Sequence, residues 1–103
     1  MQFKAIILLS RRQDMTPEQF RAWWIDEHVP LAVGLPGVRR IVFNICDGND
    51  EVDGVSELWF DSEKDFDAAY ASDHGKAVAA DSMAHVRRRT RLFVDEREIV
   101  GPP

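Results

Sequence analysis

The chain carries one cysteine, Cys46, so no disulfide can close within it. That usage suits a reducing compartment and points to the cytoplasm. No stretch approaches the ~20 apolar residues of a membrane span. The apolar run from Ala5 to Leu9 is too short for a secretory signal, and no small-residue cleavage site follows it. No membrane partner is expected. There is no glycine-rich phosphate loop, no GxSxG elbow, no CxxC pair and no HExxH helix. The usual signatures of nucleotide binding, hydrolase, thiol-redox and zinc-protease chemistry are therefore missing. Positive charge is scarce. With 13 Lys and Arg against 18 Asp and Glu, the formal net charge is −5, which disfavours a nucleic-acid partner. The single basic cluster, Arg87, Arg88, Arg89 and Arg91, sits among acidic residues without a nucleic-acid motif and reads as a solvated strand entry.

What is present fits one domain. A chain of 103 residues buries roughly 65% of its unfolded surface, enough for a true core. At 45% hydrophobic and 30% charged residues, the composition is that of an ordinary globular protein. We expect the domain to occupy residues 1–100, with Gly101 to Pro103 as a loose tail.

Hydrophobic pattern and turn chemistry place the elements. Phe3 to Leu9 reads as a strand buried on both faces. Thr16-Pro17-Glu18-Gln19 is a helix start, with a capping residue, proline in the first turn and Gln19 at the capping-box position. That helix should run to about His28. Val38 to Cys46 and Val55 to Phe60 read as strands flanking the turn-rich segment Asp47 to Gly54. Ser62 begins a helix to about Ala71, and a second helical piece runs to about His85. Leu92 to Ile99 reads as the last strand. This order, βαββαβ, is that of the α+β ferredoxin-like fold: a four-stranded antiparallel sheet with helices on one face. Three strands carry apolar residues in both phases (Ile6/Ile7, Ile41/Val42, Leu58/Trp59), so the second sheet face also needs a cover. A second copy of the chain is the economical cover, and a homodimer packed sheet to sheet is expected.

The stretch FRAWWIDEHVPLAVGLPG, Phe20 to Gly37, is the unusual one. Helical spacing puts Phe20, Trp24 and His28 on one face, with Trp23 beside it. Pro30 has no N–H to offer the carbonyl of Asp26, so the helix should kink or stop within a residue or two of His28. A titratable imidazole at an apolar wall suits general acid/base work. A structural histidine capping the helix end fits the same spacing. The tryptophans fit a core or a dimer contact as well as a substrate wall.

Asn44 and Glu57 are polar residues on apolar strands and point either into a cavity or to an exposed edge. Tyr70 could offer its hydroxyl. His74, Val78, Asp81 and His85 share a helical face. The i, i+4 pair Asp81 and His85 lacks the further ligands a metal needs, so the face reads as polar and no metal is expected. Cys46 reads as a small buried hydrophobe.

Residues Met15 to Asn44 resemble the N-terminal half of the EthD domain family, within the dimeric α/β-barrel superfamily. The resemblance rests on Trp24, His28, Pro30 and Leu31, followed by Leu35-Pro36-Gly37. Gly54, Glu57, Leu58, Trp59, Phe60 and Ser62 match a second block, and Asp81, Phe93 and Glu96 a third. The likeness covers nearly the whole chain. It implies the same fold, dimerisation through open sheet faces, and a pocket between sheet and helices. Relatives of this family include proteins encoded beside cytochrome P450 systems that degrade ethyl tert-butyl ether, muconolactone methyl-isomerases and fungal polyketide decarboxylases. The implied function is a cofactor-independent isomerase, lyase or cyclase, as in a catabolic pathway, on a small apolar aromatic, lactone or polyketide-like substrate. His28 would be the catalytic acid/base. Trp23, Trp24 and Trp59 would supply apolar contact, and Asn44 or Tyr70 would steady an oxyanion. Asp81 matches a recurrent acidic position, and His85 stands where an aromatic residue is common. A non-catalytic binding protein serving an oxygenase, or a cofactor-free monooxygenase, are the alternatives.

Overall fold

The computed structural model describes residues 2–47 and 51–103. The chain forms β1 (Phe3–Arg11), α1 (Pro17–Ala22), a π-helical turn (Trp23–His28), α2 (Val29–Ala32), β2 (Arg40–Ile45), β3 (Gly54–Phe60), α3 (Glu63–Ala71), α4 (Asp73–His85) and β4 (Val86–Val94). The strands make one antiparallel sheet in the order β2-β3-β1-β4, the ferredoxin-like arrangement expected from the element order. Part of the turn segment Asp47 to Gly54 lies outside the described residues.

The starts of the helices follow from local chemistry. Thr16 accepts from the backbone N–H of Gln19 at 3.1 Å, and Gln19 Oε1 accepts from the Thr16 N–H at 2.8 Å. This reciprocal pair satisfies two donors that a helix start leaves free. Ser62 caps α3 through the Asp65 N–H at 3.1 Å, and Ser72 caps α4 through the Gly75 N–H at 3.0 Å.

The sheet register assigns each side chain to a face. Ala5, Ile7 and Leu9 of β1 stand opposite Leu58, Ser56 and Gly54 of β3 and face the helices. There they form the core with Phe20, Trp24, Phe66 and Val78. The other phase, Lys4, Ile6 and Leu8 with Trp59, Glu57 and Val55, belongs to the opposite face, which Val42, Asn44 and Leu92 join through their own register.

Two boundaries differ from the sequence expectation. The helix does not stop at His28 but passes through a π turn and continues to Ala32. The last strand is Val86–Val94 rather than Leu92 to Ile99, and Ile99 and Val100 are exposed. The arginine cluster therefore lies within β4, an edge strand, where polar residues are ordinary. Register pairs Arg89 with Leu9 and Arg91 with Ile7, so both start from the helix face of the sheet.

The break between α3 and α4 depends on Gly75. A Cβ there would lie 2.0 Å from the Ala69 carbonyl oxygen and 2.6 Å from the Tyr70 Cα. Backbone cannot yield as a side chain can. Gly75→Ala should cost at least about 2 kcal/mol of stability, read as a lower urea midpoint at unchanged m-value.

Candidate active site

The site lies between the helix face of the sheet and the helices. Its centre is His28, 4% exposed, at the end of the π turn. In that turn the Val29 N–H bonds the Trp24 carbonyl, five residues back. The π pattern brings residues i and i+5 into line, so Trp23 and His28 reach the same neighbour. His28 Nδ1 lies 2.8 Å from Asp81 Oδ2, and Trp23 Nε1–H donates to that same oxygen at 3.1 Å. The ionised carboxylate only accepts, so Nδ1 carries the proton and Nε2 keeps its lone pair.

Two effects act on the imidazole. Burial disfavours its charged form and dominates, so its pKa falls below the usual 6.5. The hydrogen bond and charge of Asp81 oppose that fall in part, while the Arg89 charge adds to it. His28 is thus a neutral base at neutral pH.

Nε2 faces a small cavity of about 20 Å³, room for a water-sized group. Trp24, Ala32, Phe43, Tyr70, Ser82 and Arg89 are among its walls. Trp24 stacks on Phe43 with ring centroids 4.2 Å apart. Burial pushes the Tyr70 hydroxyl above its ordinary pKa, the Arg89 guanidinium opposing this, so the hydroxyl stays protonated and can donate. Ser82 Oγ lies 3.4 Å from Nε2, too long for a strong bond. An apolar groove of about 230 Å³ adjoins, lined by Val29, Ala32, Val33, Ile41 and Phe43. It shares Ala32 and Phe43 with the cavity.

The expected site residues divide. His28, Trp24 and Tyr70 line the cavity, and Asp81 holds His28 from behind. Trp23 supports Asp81 and faces an outer cleft. His85 stacks on Trp23 with centroids 4.4 Å apart and shares that cleft, its Nδ1–H donating to the Asp81 carbonyl at 2.8 Å. Asn44 and Trp59 are not brought to the site, because strand phase turns them to the opposite sheet face. There Asn44 donates to Glu57 at 3.0 Å, and Trp59 Nε1–H donates to Glu96 at 2.9 Å. His74 bonds the Leu31 carbonyl, linking α4 to α2. Among the described residues no group of three or more His, Cys, Asp or Glu side chains could hold a metal. Arg89 is the residue that sequence reading missed. Register puts both Arg89 and Arg91 on the helix face, and of the two only Arg89 lines the cavity.

The EthD domain family pattern matches residues 12–86, and the chain belongs to that family. An uncharacterized 11.0 kDa protein of the thcB-thcC intergenic region of Rhodococcus erythropolis is 30% identical over 89 residues, covering 82% of this chain and 86% of that one. An ethyl tert-butyl ether d (EthD) family protein from Bacillus halodurans superposes with TM-score 0.81 at 24% identity, over 94% of this chain and 100% of that chain. A dimeric ferredoxin-like protein of unknown function from Thermobifida fusca gives 0.74 at 20% identity, over 91% and 90%. The hydroxynitrile lyase of Passiflora edulis gives 0.74 at 14% identity, over 97% of both chains. These structural likenesses establish the shared ferredoxin-like fold.

The depressed pKa of His28 has a thermodynamic consequence. The unfolded chain takes up a proton near pH 6.5, whereas the folded chain holds out to lower pH. Stability should therefore fall as pH drops from about 6.5 towards the folded value, and this group should have no effect above that window. Urea titrations between pH 5 and 8 should show this slope in the native protein, and His28→Gln should flatten it.

Proposed function

We propose that this chain is a cofactor-independent acid/base enzyme, an isomerase, lyase or cyclase, acting on a small apolar aromatic, lactone or polyketide-like substrate in the cytoplasm. The observation that carries this reading is the Asp81–His28 pair, with a neutral Nε2 facing a cavity beside an apolar groove. In the step proposed, Nε2 takes a proton from a carbon next to a carbonyl, and the C–H electron pair moves into the carbonyl to leave an enolate. Asp81 stabilises the imidazolium that forms, as a buried carboxylate does behind a catalytic histidine. The Tyr70 hydroxyl donates to the new oxyanion. The proton then returns to another atom of the substrate, or a leaving group departs as the carbonyl re-forms.

Ser82, His28 and Asp81 also stand in the order of an acyl-transfer relay, and the 3.4 Å contact supports a second reading with Ser82 as nucleophile. Single variants separate the two. His28→Ala should lower turnover, or exchange of substrate C–H for solvent deuterium, by about 10²–10⁴-fold, with melting temperature and assembly retained. Ser82→Ala should leave the rate within a few-fold. Loss of activity in Ser82→Ala would establish the nucleophile instead. Tight binding with no exchange or turnover would make the protein a carrier.

The reading includes a homodimer through the open sheet face. Ile6, Leu8, Val42, Val55 and Leu92 form an apolar surface there that the single chain leaves uncovered by helices, and a relative of the same fold is dimeric. Sedimentation at micromolar concentration should give a dimer, and Leu92→Asp should shift it to monomer. A native monomer would refute the assembly.

A further inference from the structure

Among the described residues, two buried side-chain polar atoms have no hydrogen-bond partner: Trp24 Nε1 and Arg89 Nε. Both residues line the cavity that His28 faces. Trp24 is 0% exposed, so water cannot satisfy its N–H from the surface. An unsatisfied buried donor costs about 1–3 kcal/mol, and two of them at one cavity mark a place where an acceptor is missing. Charge adds to this. No ion pair among the described residues involves Arg89. The other titratable walls, His28 and Tyr70, are both held in their neutral forms. Asp81 lies behind His28, with its Oδ2 already taken by two donors. The cavity therefore presents a cation and two N–H groups with no anion of its own. Arg89 is half-buried and its guanidinium already meets the Tyr70 hydroxyl, but its buried Nε–H has no acceptor, and an anion would supply one.

The neighbouring groove gives the rest of the ligand. Val29, Ala32, Val33, Ile41 and Phe43 offer apolar contact only, next to a cavity with room for about one water-sized atom, such as a single carboxylate oxygen. We infer that the site binds small apolar monocarboxylates, with the carboxylate on Arg89 and the Trp24 Nε1–H and the hydrocarbon body in the Val29–Phe43 groove. A carboxylate has the acceptors for both donors. The inference deepens the proposed function, since it names the substrate class of the same cavity, but it concerns binding and does not need turnover.

Phenylacetate and its neutral isostere phenylacetamide test it on the whole protein, by calorimetry with tryptophan fluorescence as a second readout. Phenylacetate should bind at least tenfold more tightly. Arg89→Met should abolish that preference while leaving weak binding of the amide. Trp24→Phe keeps the charge and loses one donor, so it should weaken the acid several-fold and the amide little. If Arg89→Met does not fold, Arg89→Lys keeps the charge but loses the fixed Nε donor, and should cut the preference at least threefold. Equal affinities for acid and amide in the native protein, no binding of either at millimolar concentration, or a preference unchanged in the Arg89 variant would each overturn the inference. His28→Ala should keep the preference for the acid. A native protein that selects carboxylates but catalyses nothing would sink the enzyme reading and leave this one standing.

Discussion

The carboxylate of Asp81 is the contact on which the site depends. One oxygen accepts from both Trp23 Nε1 and His28 Nδ1, which binds the π turn to α4 across the top of the core. It sets the imidazole tautomer and partly offsets the burial that lowers its pKa. Hydrogen bonds to a charged acceptor contribute about 1.5–3 kcal/mol each, so this one group serves both packing and protonation. The residue one position on, Ser82, meets the other nitrogen of the same ring. Two consecutive residues of α4 thus flank His28, one on each side.

That contact is possible only because the helix changes register. At 3.6 residues per turn, Trp23 and His28 would point about 140° apart and could not share a carboxylate. Pro30 removes the N–H that an α-helix would aim at the Asp26 carbonyl. The chain answers with a π turn, in which the Val29 N–H reaches back to Trp24. Five-residue spacing then lines up Trp23 with His28, whose rings sit 5.1 Å apart. Trp24, displaced from that line, goes to the cavity wall instead. The adjacent tryptophans thus divide: Trp23 bonds the Asp81 carboxylate, and Trp24 lines the cavity.

Much of this was legible in the residues. Thr16 and Ser62 announced their helices through short-range capping chemistry, which tertiary context seldom overrides. The both-phase apolar strands marked a sheet that is apolar on its second face too. Pro30 marked the place where helical geometry changes, but not the kind of change. Omitting a hydrogen bond favours a stop, a kink or a wider turn, and packing of Trp23 and His28 onto α4 selects the last. Strand phase was the weaker guide. Asn44 and Trp59 sit in strands as expected, yet alternation sends them to the face away from His28, and only pairing register could say so. β4 was misplaced because it is an edge strand. Its arginines lack the apolar signature of a strand, while the guanidinium groups of Arg89 and Arg91 lie over the rings of Tyr70, Phe66 and Phe93.

The two faces of the sheet therefore carry separate duties. The helix face holds the cavity, and the walls named for it come from one chain: all four strands below, the helices above. The opposite face carries Lys4, Glu57 and Asn44 as a small polar network, with Lys4 Nζ 2.9 Å from Glu57 Oε1, set within apolar neighbours. Asn44 and then Lys4 hold the Glu57 carboxyl below its ordinary pKa, so it stays ionised in this network. Asn44 and Glu57 thus bond each other on this face, and neither is among the cavity walls. The two surfaces share β1 and β3, whose alternate residues serve one face each, so a substitution on the outer phase leaves the cavity walls themselves unchanged.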